Sequence, residues 1–160
     1  MPRRTPNSSR STAAPHPLVA LLKRTSTYFH HLGMEILDLQ AGRALIRLPL
    51  RTQLKNTSGS MHGGAIASLI DSAGGLAART LTHPSTVTTV EFKVNFLAPI
   101  RHGAVLGHGQ VIHRGRTLIV SEVVVKDEED RPVARGLVTL MILASGQRTR
   151  PKREGSGSDL

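Results

Sequence analysis

Apolar and polar positions change their rhythm several times along these 160 residues, and each change marks an element. Leu18, Leu21, Leu22, Thr25 and Phe29 recur at helical spacing between Pro17 and Gly33. That spacing predicts a short amphipathic helix with proline at its start and glycine past its end. Two apolar-rich segments, 34–40 and 43–50, flank Ala41-Gly42 and read as a hairpin of two strands. From His62 to about Thr80 alternation disappears, and Ala, Ile, Leu, Gly and Ser dominate. A helix of about five turns that is small or apolar on every side is a buried helix. Gly63, Gly64, Gly74 and Gly75 oppose helix formation, so close approach of backbone to a sheet or a ligand has to favour them.

Beyond Pro84 the period becomes two. Val90, Phe92, Val94 and Phe96 alternate with Glu91, Lys93 and Asn95, which predicts a half-buried strand. Three more strands are expected near 104–113, 116–126 and 132–142, punctuated by Gly103, Arg114-Gly115 and the charged run 127–131. The expected order is helix, two strands, one long helix, then four strands in a meander. An antiparallel sheet curled around one central helix buries every apolar face in an α+β domain.

Composition narrows the chemistry. The chain holds no cysteine, which removes disulfides, a thiolate nucleophile and cysteine-ligated metals, and suits a reducing, cytoplasmic setting. No apolar run reaches the length of a membrane span, because Asp71 interrupts the best one. Half of the net charge of +10 lies at the two ends: a Pro/Ser/Thr-rich head, 1–16, with Arg3, Arg4 and Arg10, and a tail, 146–160, with Arg148, Arg150, Lys152 and Arg153. Both are too poor in apolar residues to fold and are expected to be disordered, which leaves 17–145 as one domain. The body is mildly basic, as suits a polyanionic ligand. With three Phe, one Tyr and no Trp, and no DNA-reading motif, nucleic acid is not an expected partner.

Asp71 lies in the middle of the most apolar helix, where an acid costs several kcal/mol unless paired or used. Its neighbours one turn away are Ala67, Ser68, Gly74 and Gly75, so side-chain bulk is absent around it. That leaves room for a substrate; the competing role is a structural acid bonded to a neighbour. Met61-His62-Gly63-Gly64 opens the same helix, where free amides and the positive helix end converge on any incoming carbonyl. Gly63 and Asp71 are eight residues apart, about 12 Å of helix, which is too far for one carbonyl to contact both. Two subunits, each lending one end of its helix to the other, would close that gap. The scattered histidines form no zinc-binding pattern, and no Gly-x-Ser-x-Gly elbow is present.

Taken together, Asn56, His62-Gly63-Gly64, the stretch Ala67-Ser68-Leu69-Ile70-Asp71, the run from Glu91 to Pro99, Gly115-Arg116-Thr117 and Ala134-Arg135-Gly136 resemble the hotdog-fold thioesterases of the phenylacetic-acid-pathway (PaaI-like) type. The likeness spans roughly residues 30–143. It implies a hotdog fold, hydrolysis of an acyl-coenzyme A thioester without cofactor or metal, and a homodimer, paired again into a tetramer, with active sites shared between subunits. It also implies roles. Asp71 would activate water or attack the thioester, the Gly63 amide would polarise its carbonyl, Asn56 and His62 would hold the geometry, and Thr89 would orient water. Gly64 would lie against the substrate, with Arg114 and Arg116 as candidates for the coenzyme A phosphates. Each residue also has an ordinary role open to it: a turn cap for Asn56, a helix cap for His62, a strand former for Thr89. Binding of acyl-CoA without turnover is the alternative function.

Overall fold

The computed structural model describes residues 16–20 and 26–143. Residues 1–15 of the basic head and the whole tail, together with Leu21, Leu22 and Thr25, lie outside the described residues. Residues 17–20 are helical, and a separate short helix, α1 (Thr27–Leu32), follows. The single amphipathic helix expected here is therefore corrected. Ser26, at φ −98° and ψ 88°, leaves the helical region and starts α1 afresh. Leu18 and Phe29 are both buried nonetheless. Gly33, at φ 73°, ends α1 in the left-handed conformation, its amide bonded to the carbonyl of His30.

The hairpin forms as expected, β1 (Glu35–Gln40) with β2 (Arg43–Pro49), turning at Ala41 and a left-handed Gly42. Gly42 N–H donates to Thr80 Oγ1 at 2.8 Å, tying the turn to the far end of the long helix, α2 (Gly63–Thr82). Then come β3 (Thr86–Phe96), β4 (Ala104–Arg114), β5 (Leu118–Lys126) and β6 (Pro132–Leu143). All six strands form one antiparallel sheet in the order β1-β2-β4-β5-β6-β3.

That order corrects the four-strand meander. Only β4, β5 and β6 meander; β3 pairs with β6 at the far edge, and β4 fills the place beside β2. The cause is the long helix. A strand, a crossover helix and a second strand in one sheet come out parallel, and parallel strands joined by a helix need not be neighbours. With α2 laid across the sheet, β3 emerges beyond the room later taken by three strands.

The sheet curls so that α2 touches all six strands. Leu69, Ile70, Ala73, Ala77 and Ala78 are fully buried with Ile46, Val105, Val123 and Val138. Each large side chain buried here contributes about 1.5–3 kcal/mol. Among the residues of α2 only Gly64 is exposed, as expected of a helix wrapped on all sides. The close approach depends on glycine: a side chain at Gly109 of β4 would collide with the Ala73 carbonyl, and at Gly136 of β6 it would come 2.6 Å from Ile70.

Edge position also changes β3. A bulge between Thr89 and Glu91 absorbs Val90, after which Phe92, Val94 and Phe96 pair with Val138, Gly136 and Ala134 on the helix-facing side. The expected half-buried strand is corrected: Val90, Phe92 and Phe96 are 52%, 42% and 55% exposed, because β3 is the edge strand of the sheet.

Candidate active site

Asp71 projects from the middle of α2 and is half-buried. Thr89, the residue just before the β3 bulge, donates from Oγ1 to Asp71 Oδ1 at 2.7 Å. The bond holds the carboxylate through that oxygen, and Asp71 lines a cleft of about 190 Å³. Apolar walls come from Phe29, Leu76, Val87 and Leu140, and polar ones from Ser26, Ser72 and Arg79. Gly75 forms part of the floor, where a Cβ would meet nothing nearer than Leu140 at 3.6 Å.

The start of α2 borders a second cleft, of about 460 Å³, lined by Asn56, Gly63, Phe96 and Arg101 among others. Four amides at a helix start need acceptors from outside the helix ladder. The His62 amide donates to the Leu54 carbonyl at 2.7 Å, the Gly64 amide to His62 Nδ1 at 2.9 Å and the Ala65 amide to the His62 carbonyl at 2.9 Å. Among the described residues the Gly63 amide alone of the four has no acceptor. The Phe96 ring lies over Gly63, 3.2 Å from where a Cβ would stand, so only glycine leaves this amide open without moving the ring. Asn56 Oδ1 accepts from the amides of Ser58 and Ser60 at 3.0 and 3.1 Å, shaping the loop that walls the cleft.

The structure thus groups the sequence candidates in two pairs, Asp71 with Thr89 and Asn56 with Gly63, eight residues apart along one helix. His62 acts as the helix cap, and the Gly64 amide is taken up by it. Arg114 and Arg116 are exposed around the β4–β5 turn, at the end of the sheet where β3 begins, and line neither cleft. Sequence reasoning passed over Arg79 and Arg101, which do line them. The signal for Arg79 was present: it follows Asp71 by two helical turns with Gly75 between. Another hollow, lined by Asp38, Arg43, His108 and Glu122, opens on the sheet face away from α2 and is remote from these residues. Among the described residues no three His, Asp or Glu side chains converge as metal ligands would, and no helix is long and apolar enough to cross a membrane.

The sequence model of the thioesterase superfamily matches residues 58–134, which hold Gly63, Asp71 and Thr89. A protein of Saccharolobus solfataricus, provisionally named an esterase, is 34% identical over 123 residues, 77% of this chain and 88% of that one. The chain belongs to the hotdog thioesterase superfamily. Within that superfamily, the 1,4-dihydroxy-2-naphthoyl-CoA hydrolase of Listeria monocytogenes is 26% identical over 112 residues, 69% of this chain and 91% of the relative. A solved point mutant of the phenylacetic acid degradation protein PaaI of Thermus thermophilus superposes with a TM-score of 0.67 at 26% identity, over 72% of this chain and 98% of its own.

Proposed function

We propose that this hotdog thioesterase hydrolyses an acyl-coenzyme A thioester, with Asp71 as the catalytic carboxylate. The observation that carries the reading is the half-buried Asp71, held by Thr89 through one oxygen and lining a cleft. A coenzyme A ester as substrate has support from the Listeria relative, whose name is that of a CoA hydrolase.

The chemistry follows from the two groups. Water gives a proton to Asp71 Oδ2 as its oxygen adds to the thioester carbon, and the carbonyl electron pair moves onto oxygen. A free Gly63 amide is the donor for that oxyanion, an interaction worth ~10²- to 10³-fold in rate. The oxyanion collapses, the C–S bond breaks with its electrons on sulfur, and the proton on Asp71 passes to the leaving thiolate. Acid and thiol depart with no cofactor consumed.

Since Gly63 and Asp71 of one chain stand about 12 Å apart along the helix, the complete site takes Gly63 from one subunit and Asp71 from another. The exposed rim of β3 supports such a dimer. It is an edge strand carrying Val90, Phe92, Phe96 and then Leu97, each at least 42% exposed, and an unpaired apolar edge invites a second copy. In this reading two dimers pair into a tetramer and the enzyme works in the cytoplasm, where a chain without cysteine is at ease.

Thiol release from a panel of acyl- and aryl-acyl-CoA esters, read with a chromogenic disulfide reagent, tests the proposal; the cysteine-free protein adds no background. Wild type is expected to turn over at least one ester and Asp71→Asn to lose ~10²- to 10⁴-fold in kcat. Full activity in the variant would remove Asp71 from the mechanism. Ligand-induced stabilisation without any thiol release would instead make the protein an acyl-CoA binder.

A further inference from the structure

Arg79 lines the same cleft as Asp71, two turns further along α2, with Gly75 between them. Among the described residues its buried Nε has no hydrogen-bond partner, and the ion pairs there involve other cations, those of Arg47, Lys126, Arg131 and Arg135. Burial lowers its pKa from the ordinary arginine value, yet a guanidinium remains charged at neutral pH. The end of α2 eases the presence of a cation, through the carbonyls of its last turn. It does not satisfy the buried N–H, and a buried donor left unmade is costly. Asp71, the acid lining the same cleft, already accepts from Thr89 and lies about 12 Å away along the axis.

The cleft therefore has an acid at one end, an unanswered cation at the other, and Phe29, Leu76, Val87 and Leu140 between. We propose that Arg79 selects thioesters whose acyl group carries a carboxylate at its far end, a monothioester of a short dicarboxylic acid. The inference rests on the reading of Asp71 as the catalytic carboxylate. With the thioester carbon at Asp71, the methylenes lie along the open floor at Gly75, and the distal carboxylate takes the fork of Arg79, a bidentate match that a lysine does not reproduce.

An anion on Arg79 has two possible sources, the acyl terminus and the phosphates of coenzyme A. The test compares adipoyl with hexanoyl thioesters, each as the CoA ester and as the N-acetylcysteamine ester, which has no phosphate. Wild type, Arg79→Met and Arg79→Lys are measured. Wild type is expected to favour adipoyl in kcat/KM by ~10- to 100-fold, the scale of one hydrogen-bonded charge pair. Arg79→Met should erase that preference in both ester series, adipoyl losing ~10- to 100-fold more than hexanoyl, and Arg79→Lys should restore part of it. Equal losses for both CoA esters, absent from the phosphate-free series, would assign Arg79 to coenzyme A and overturn the proposal. Asp71-dependent hydrolysis with no adipoyl preference would also overturn it and leave the hydrolase intact. If no thioester is cleaved, the hydrolase reading fails by itself, and calorimetry with a carboxyalkyl-CoA thioether against its alkyl counterpart decides the matter. An Arg79-dependent preference there upholds the proposal, and equal affinity overturns it. Should Arg79→Met not fold, the wild-type ratio and the lysine variant distinguish the same outcomes.

Discussion

Thr89 Oγ1 donates a 2.7 Å hydrogen bond to Asp71 Oδ1, joining the middle of the buried helix to the strand at the far edge of the sheet. The two residues are eighteen apart in sequence, separated by the second half of α2 and the turn into β3. Because the bulge follows Thr89 directly, the strand can aim this hydroxyl at the acid and still present Phe92, Val94 and Phe96 on the same side.

Removing the hydroxyl while keeping the shape should separate orientation from packing. Thr89→Val is expected to lower kcat by about tenfold with KM little changed, as befits one hydrogen bond to a charged group. Steady-state kinetics on the best thioester checks it. An unchanged kcat would leave Thr89 as a strand residue only.

Gly63→Ala keeps the amide but places a methyl 3.2 Å from the Phe96 ring. Ring and helix start must part, so kcat/KM is expected to fall by ~10²-fold, the worth of a misplaced oxyanion donor. The melting temperature should shift by only a few degrees, and Phe96→Leu in the same chain should recover part of the activity. Kinetics and thermal melts on wild type and the two variants decide it.

Two glycines that look alike in the sequence should behave oppositely. Gly109→Ala drives a methyl into the Ala73 carbonyl and should destabilise by about 2–3 kcal/mol, because backbone of helix or sheet has to shift. Gly75→Ala meets only Leu140 at 3.6 Å and should stabilise by up to about 1 kcal/mol through helix propensity, while narrowing the cleft. Chemical denaturation of both variants reads the signs.

Asp127 anchors the β5–β6 turn. Its Oδ1 accepts from the amides of Glu129 and Arg131, and its Oδ2 from Arg131 Nε at 2.7 Å. Burial opposes its ionisation, but the bonds from Arg131 and Glu129 outweigh that and hold its carboxyl below the ordinary carboxylate range. A carboxylate with a depressed folded pKa stabilises the fold above its unfolded value, near 3.9, and that stabilisation is lost as pH falls through the folded value. Asp127→Asn should therefore melt below wild type at pH 7, and the two curves should converge as pH drops below about 4. Melting temperatures across that range test it.

Much of this protein follows from its sequence alone. Local period and local breakers specify the hairpin across Ala41-Gly42, the all-round apolar α2, and the alternation along β3, β5 and β6. An acid in a helix of small residues marks Asp71, since burying a charge needs a reason. Tertiary structure decided what periodicity cannot express. Which strands become neighbours depends on where the α2 crossover delivers β3, so the edge position, the exposed rim at Val90, Phe92 and Phe96 and the bulge at Thr89 were not legible. The caps at Asn56 and His62 were open alternatives until geometry showed which groups they bond, leaving the Gly63 amide free. The spacing of Arg79 from Asp71 was legible, but its role was not. Its meaning comes from burial without a partner, a property of the space around a side chain and not of its place in the chain.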